Sequence, residues 1–241
     1  MTRMLFRADA YLRESEAEVV AHTPEGGIVL DATVFYPTGG GQPGDSGTLS
    51  WGGGALSIAT AIKGEGDAIV LVPAEPRALP PVGARVEQAL DWDRRFAHMR
   101  MHTALHLLSV ALPFGVTGGA VGAGRGRLDF DMEQAPEDRE ALEAALNDHV
   151  AADLRVSEEW ITQADLEANP GMVKTLSVQP PRGAGRIRLV RIGDGDAMID
   201  LQPCGGTHVA RTGEIGALRI GKVEKKGRMN RRVYLHLENM G

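Results

Sequence analysis

A chain of 241 residues, 43% of them hydrophobic and 24% charged, can bury one large core or two small ones and lacks the composition of a disordered protein. Its formal net charge of −6 argues against a nucleic-acid partner gripped over the whole surface, so any such contact must rest on a local cluster of cations. No apolar run approaches the roughly 18 residues of a membrane span, charges interrupt the N-terminal MTRMLFRADAYLRESEAE as they would not a signal peptide, and one cysteine excludes an internal disulfide, which together predict a cytoplasmic protein with a free thiol and no membrane partner.

From residue 1 to about 88, short β-type runs alternate with turn signals: AEVVAHTPEGGIVLDATVF, GTLSW, LSIATAIKGEGDAIVLV and ARVEQALDW. This pattern predicts an all-β module, with the proline-rich PAEPRALPPVG as a stiff loop before its last strand. Within it, TGGGQPGDSG lacks the Lys-Ser/Thr of a phosphate loop and the glycine order of a dinucleotide turn, so no nucleotide cofactor is expected. Its glycines predict either a sharp hairpin or a close approach of backbone to a ligand or to the following domain. The break falls near Asp91, giving two domains, 1–90 and 91–241.

DWDRRFAHMRMHTALHLLSVAL then runs without Gly or Pro to Pro113, with Phe96, Met99, Leu105 and Leu108 at helical spacing and Asp91 or Asp93 placed to cap it. After the glycine-rich GVTGGAVGAGRGRLDF comes an acidic amphipathic helix opened by Pro136, with Leu142, Leu146, Val150 and Leu154 along its stripe. WIT, a short helical QADLEA and the turn ANPG follow. RIRLVRI, AMIDLQ, ALRIGKVEK and RRVYLHLE read as strands, the last two forming a hairpin across Lys226 and Gly227. A mixed or antiparallel sheet with two main helices predicts the α+β class.

Two short pairs carry the chemistry: His102 and His106 as H-x-x-x-H, and Cys204 and His208 as C-x-x-x-H. On a helix, residues four apart point the same way one turn apart, so both imidazoles can reach one ion. Pro203, Gly205 and Gly206 predict a tight turn that presents sulfur and nitrogen together. A lone histidine among leucines is ordinarily a packed core residue, but two such pairs, one holding the chain's single cysteine, predict one Zn²⁺ site. His98, four residues before His102, is the competing ligand. Thr103 and Thr207 adjoin ligands and can orient them or serve as ordinary helix and turn threonines.

Charge is unevenly placed. Glu133 to Glu159 holds nine acidic residues against two basic ones, as a solvated helix face would. Arg211 to Arg232 holds eight Lys or Arg against Glu214 and Glu224, and Lys174 to Arg191 holds five basic residues and no acid. Both basic segments flank Cys204, which predicts a surface for a phosphate backbone beside the metal, with Lys222, Lys225, Lys226, Arg228, Arg231 and Arg232 as its contacts. The alternative is a hairpin kept soluble by its charge.

Four stretches resemble the editing domain of alanyl-tRNA synthetases and its free-standing relatives, the AlaX-type alanyl-tRNA editing proteins: FYPTGGGQPGDSG at 35–47, DWDRRFAHMRMHTALHLL at 91–108, LDF at 128–130, and QPCGGTHVARTGEIGALRIGKVEKKGRMNRR at 202–232. Threonyl-tRNA synthetase carries a related domain. The resemblance implies an N-terminal β-barrel followed by an α+β editing domain, and a zinc-containing hydrolase that frees serine or glycine wrongly attached to tRNA(Ala). It also implies that Thr117, in VTGG, reads the serine hydroxyl, and Gln42 is the residue of the glycine-rich motif suited to hydrogen-bond the terminal adenosine or the amino acid. Two other readings stand beside it: a zinc-stabilised RNA-binding module without catalysis, and a metal hydrolase of small esters or amides.

Overall fold

Alternating apolar side chains and glycine turns shape the first part of the chain. The computed structural model describes residues 1–174 and 186–238, and these are α+β, in two compact units that meet after Ala97. In the first unit β1 (Arg3–Met4) and α1 (Leu5–Ala8) precede β2 (Glu14–His22), β3 (Ile28–Leu30), β4 (Ala32–Thr33), β5 (Gly47–Trp51), β6 (Gly54–Lys63), β7 (Ile69–Pro73) and β8 (Arg85–Leu90). Six strands close into a barrel in the order β2-β3-β7-β6-β5-β8, every pair antiparallel, which removes free sheet edges. Val19, Ile28, Leu30, Leu49, Leu71 and Val86 fill it. On β6 a register shift between Ile58 and Thr60 re-phases the alternation, so that Ala61 follows Leu56 and Ile58 inward.

The glycine-rich segment is a hairpin. Gly39 and Gln42 exchange both backbone hydrogen bonds at 3.0 Å, and the two residues between them, Gly40 and Gly41, have φ of 56° and 80°. Positive φ at both central positions is what a two-residue turn requires, and glycine meets it without strain. A Cβ at Gly44 would stand 2.1 Å from the Ala61 carbonyl oxygen, so this glycine is needed for strand packing.

Beneath the hairpin lies an ion pair with both side chains essentially inaccessible to solvent, Arg95 with Asp45. Arg95 Nε donates to both carboxylate oxygens at 3.0 and 2.9 Å, and its terminal nitrogens donate to the carbonyls of Ala10 at 2.9 Å and Val34 at 2.6 Å. Asp45 also accepts the Tyr36 amide at 2.6 Å. One pair thus ties three loops of the first unit together.

The boundary between the units falls inside α2 (Trp92–Ala111). Asp91 caps this helix, its carboxylate accepting the Arg94 amide at 3.2 Å. Then come β9 (Val116–Ala120), β10 (Arg125–Asp131), α3 (Arg139–Ala151), β11 (Val156–Thr162), α4 (Gln163–Ala168), β12 (Arg186–Ile192), β13 (Asp200–Pro203), β14 (Leu218–Gly227) and β15 (Asn230–Leu237). The expected single sheet is two antiparallel sheets, β14-β15-β10-β9 and β11-β12-β13. The acidic helix opens at Arg139 rather than at Pro136, because the Asp138 carboxylate caps it by accepting the Ala141 amide at 2.8 Å. It ends before Leu154, so its buried residues are Leu142 and Leu146. The last hairpin turns at Arg228 and Met229, two residues later than the sequence suggested, where Gly227 pairs with Asn230. No helix among the described residues is long and apolar enough to cross a membrane.

The four-stranded sheet has two distinct faces. Leu128, Phe130, Val233 and Leu235 are buried on one, and on it Gly126 meets α2 so closely that a Cβ there would lie 2.6 Å from Met101 Sδ. The other carries Asp129, which binds Arg232 through both oxygens at 2.7 and 2.9 Å and Arg127 at 2.8 Å. Hydrogen bonds from Arg232 and then Arg127 hold the Asp129 carboxyl below its usual range against the opposing effect of burial. Its contribution to stability is therefore complete above the ordinary carboxylate pKa, about 4, and is lost as pH falls through the depressed folded value. Asp129→Asn is expected to be destabilised at neutral pH and to approach the parent below about pH 4 in thermal unfolding; a pH-independent difference would refute this.

Candidate metal centre

His102 and His106 leave α2 one turn apart, and the turn after β13 brings Cys204 and His208 to them. The four donor atoms lie within 4.8 Å of one another, and all four residues are buried or half-buried. Cys204 Sγ is 3.5 Å from His102 Nε2 and 3.3 Å from His208 Nε2. A tetrahedron with metal bonds of 2.0–2.3 Å has edges of roughly 3.5 Å, so the sulfur stands from two of the nitrogens at the separation that one ion needs. His98 is buried on the same helix but is not among the four.

Hydrogen bonds turn the donor nitrogens inward. Thr103 Oγ1 donates its single proton to the Met99 carbonyl at 3.0 Å, so toward His208 Nδ1, 3.1 Å away, it can only accept. His208 therefore carries its proton on Nδ1 and points the Nε2 lone pair at the sulfur. Val209 N–H also donates to Thr103, at 3.3 Å. His106 Nδ1 donates to Asp200 at 2.9 Å, which leaves its Nε2 for a metal. Asp200 is itself fixed, by the Lys174 ammonium at 2.6 Å and the Gln202 amide at 2.8 Å. A carboxylate behind a ligating imidazole sets its tautomer and raises its basicity.

The electrostatics agree. Burial opposes ionisation of Cys204, yet its interactions with the surrounding imidazoles, His102 first, outweigh it and hold the thiol well below its usual range. Burial likewise works against an imidazolium at His106, but Asp200 and Cys204 raise it to about 9. For His208, burial dominates and pushes it down to about 3. Burial also opposes charge on Asp200, while His106, Lys174 and Gln202 keep it ionised with a pKa of about 2.

Arg188 on β12 holds the cysteine turn. Its side chain donates to the carbonyls of Cys204 at 2.7 Å and Gly206 at 3.0 Å, and it also pairs with Glu158. The Gly206 amide donates to Cys204 Sγ at 3.4 Å, adding to the support of a thiolate. This arrangement fits a metal ion by donor type, spacing and fixed tautomers. Asp200→Asn is expected to weaken Zn²⁺ binding by about 10–100-fold in a chelator competition, and unchanged affinity would deny Asp200 its orienting role.

Residues 187–234 match the family described as the threonyl and alanyl tRNA synthetase second additional domain, and residues 8–94 match that of class II (A) tRNA synthetases. The chain is 35% identical to the alanyl-tRNA editing protein AlaX-M of Methanosarcina acetivorans, over 98% of this chain and 99% of that one. The AlaX-M of Methanosarcina mazei is 34% identical over 98% and 97%. The chain belongs to the alanyl-tRNA editing protein family. It is also 38% identical to the alanine–tRNA ligase of Pyrobaculum arsenaticum, over 93% of this chain but 25% of that enzyme.

The structure places the remaining candidates of this family member variously. Thr207 is buried in the cysteine turn and Thr103 beneath His208. Thr117 sits on β9, donating to the Asp129 carbonyl at 3.1 Å and accepting from Asn230 at 2.7 Å. Its neighbour Val116 donates its amide to the carbonyl of Lys174, the residue whose ammonium binds Asp200. Gln42, expected to offer its amide to a substrate, is fully buried at the foot of the glycine hairpin.

Lys222, Lys225, Lys226 and Arg228 are exposed along β14 and the hairpin turn. Arg231 corrects the expected set: it is buried and donates to the carbonyls of Gly227 and Asn230 at 2.9 and 3.0 Å, closing that turn. Arg232 is engaged by Asp129. The segment from Lys174 to Arg191 is likewise less available than its charge suggested, since Lys174, Arg188 and Arg191 bind Asp200, Glu158 and Glu159, and Arg182 lies outside the described residues. Sequence reasoning missed Asp200 and Arg188. The one available signal for Asp200 was an acid in the middle of a strand, four residues before the cysteine.

Proposed function

We propose that this protein is an aminoacyl-tRNA deacylase that edits tRNA(Ala), cleaving the ester of Ser-tRNA(Ala) and Gly-tRNA(Ala), with Zn²⁺ held by His102, His106, Cys204 and His208. The convergence of those four donors, each pair supported from behind, is the observation that carries the proposal. Full-length alignment with relatives named as alanyl-tRNA editing proteins supplies the substrate class. When bound, Zn²⁺ supplies Lewis-acid stabilisation and ordering at an ester carbonyl.

The chain's own residues prepare that chemistry. Asp200 and Thr103 keep two imidazoles in the ligating tautomer, and Arg188 keeps the Cys204 carbonyl and its turn in place. The exposed Lys222, Lys225, Lys226 and Arg228 meet tRNA phosphates. Deacylation of seryl-, glycyl- and alanyl-tRNA(Ala), with and without chelator, tests the proposal. Hydrolysis of the first two and sparing of the third, lost on chelation, is the expected result. Activity on small esters without tRNA, or metal binding with no tRNA consumed, would replace it by one of the other readings.

Serine differs from alanine by one hydroxyl, which a purely apolar pocket discriminates weakly and a waiting polar partner strongly. Thr117 has committed its proton to Asp129, so it offers a substrate hydroxyl an acceptor lone pair. Thr117→Val is expected to slow hydrolysis of Ser-tRNA(Ala) by roughly tenfold or more, the worth of one hydrogen bond to a buried group, and of Gly-tRNA(Ala) less. Equal loss on both would remove Thr117 from substrate selection.

One observation favours a second role for the metal. Four protein donors complete a tetrahedron, as structural ions have, whereas catalytic ions keep a position open. In that case the ion shapes the pocket and the water is activated elsewhere.

A further inference from the structure

We propose that the open face of the four-stranded sheet carries a further RNA contact beside Lys222, a pocket for one unstacked nucleotide built on Tyr234 and Arg125. It rests on the proposed action on tRNA and adds a site to it. A cavity of about 220 Å³ opens between β9, β10 and β15, lined by Val121, Gly122, Arg125, Arg127 and Tyr234 among others. That is less than the roughly 300 Å³ of the smaller sites for whole drug-sized ligands, and suits a single base or phosphate. Its long side chains, Arg125, Arg127 and Tyr234, stand on the face of the sheet that carries Asp129, and the backbone of Gly126 adds to its floor.

The chemistry of its walls is specific. The Arg125 guanidinium lies 5.3 Å from the centre of the Tyr234 ring, and the Lys222 ammonium lies 5.1 Å from it. The Tyr234 hydroxyl donates to Glu224 at 3.4 Å, a long contact that the ring does not depend on. Each nearby acid is shared by two cations: Asp129 by Arg127 and Arg232, Glu224 by Lys222 and Lys226. Arg125 forms no ion pair among the described residues. The patch is therefore electropositive on a chain of net charge −6, with an aromatic ring at its centre. Single-stranded RNA is recognised by this pairing: bases stack on aromatic rings or arginine planes while cations take the adjoining phosphate. An acidic peptide would use the cations and leave the ring without a purpose. The charge pattern of the sequence pointed to Arg211–Arg232 and overlooked Arg125, because β10 and β15 become neighbours only in the sheet.

The test is fluorescence anisotropy of the full-length protein with a labelled single-stranded RNA hexamer and with a duplex of the same length. The native protein is expected to prefer the single strand. Arg125→Ala, at an exposed position, is expected to weaken single-strand binding about tenfold and to lower the slope of log K against log[salt] by about 0.7, the loss of one phosphate contact. Tyr234→Leu is expected to weaken it at least fivefold with no change in salt slope, and Tyr234→Phe to retain it, since the ring alone stacks. Unchanged affinity in Arg125→Ala and Tyr234→Leu would overturn the inference, as would a preference for the duplex. Because the probe RNA carries no aminoacyl group, failure of the editing proposal would appear separately, as RNA bound normally by a protein that does not deacylate.

Discussion

On the proposed function, replacing Cys204 by alanine is expected to strip the centre of zinc and to abolish deacylation. The thiolate is the one anionic donor of the four; without it three neutral imidazoles would hold a buried dication with no compensating charge among the donors. The loss in Zn²⁺ affinity should exceed the roughly 10–100-fold that an orienting partner such as Asp200 is worth. Bound metal per chain and hydrolysis of Ser-tRNA(Ala), measured on the same preparation, decide the outcome. Loss of both together supports an ion required for the reaction. Full activity from a metal-free variant would end the proposal that zinc takes part, and leave the cluster a structural role. Should the variant unfold, Asp200→Asn keeps all four donors and asks the same question by degrees.

The second large effect concerns the barrel and involves no ligand. Asp45→Asn is expected to cost about 3–5 kcal/mol, because it leaves the Arg95 charge buried without its counter-charge. The pair yields little net stability as an interaction, since both ions were taken out of water, yet breaking one side exposes the whole desolvation cost. Arg95 also supports the carbonyls of Ala10 and Val34, and Asp45 the Tyr36 amide, so the loops around the glycine hairpin should loosen together. Urea unfolding of the variant measures this. A change below about 1 kcal/mol, the scale of an exposed pair, would mean that water reaches the site.

Much of the fold could be read in advance because local physics governs it. The H-x-x-x-H helix has the right period and cap, and Asp91 caps it as its position suggested. The barrel strands alternate and are punctuated by glycine. Errors came where a competing local interaction or a distant partner set the boundary. Asp138 starts α3 in place of Pro136, and the two-residue turn at Arg228 and Met229 is closed by the guanidinium of Arg231, which composition had assigned to the surface.

For the site, the four candidate donors could be named from sequence, since residue type and short spacing select imidazole and thiolate donors that can serve one ion. Their meeting, and what stands behind them, was decided by tertiary structure. Asp200 reaches His106 across 94 positions, Thr103 reaches His208 across 105, and Arg188 grips a turn sixteen residues further on. A periodic pattern records which face of an element is apolar, but a hydrogen bond between elements depends on angstrom-scale packing that no single segment encodes. Donor chemistry is therefore local and legible, while tautomer, charge and access belong to the assembled fold.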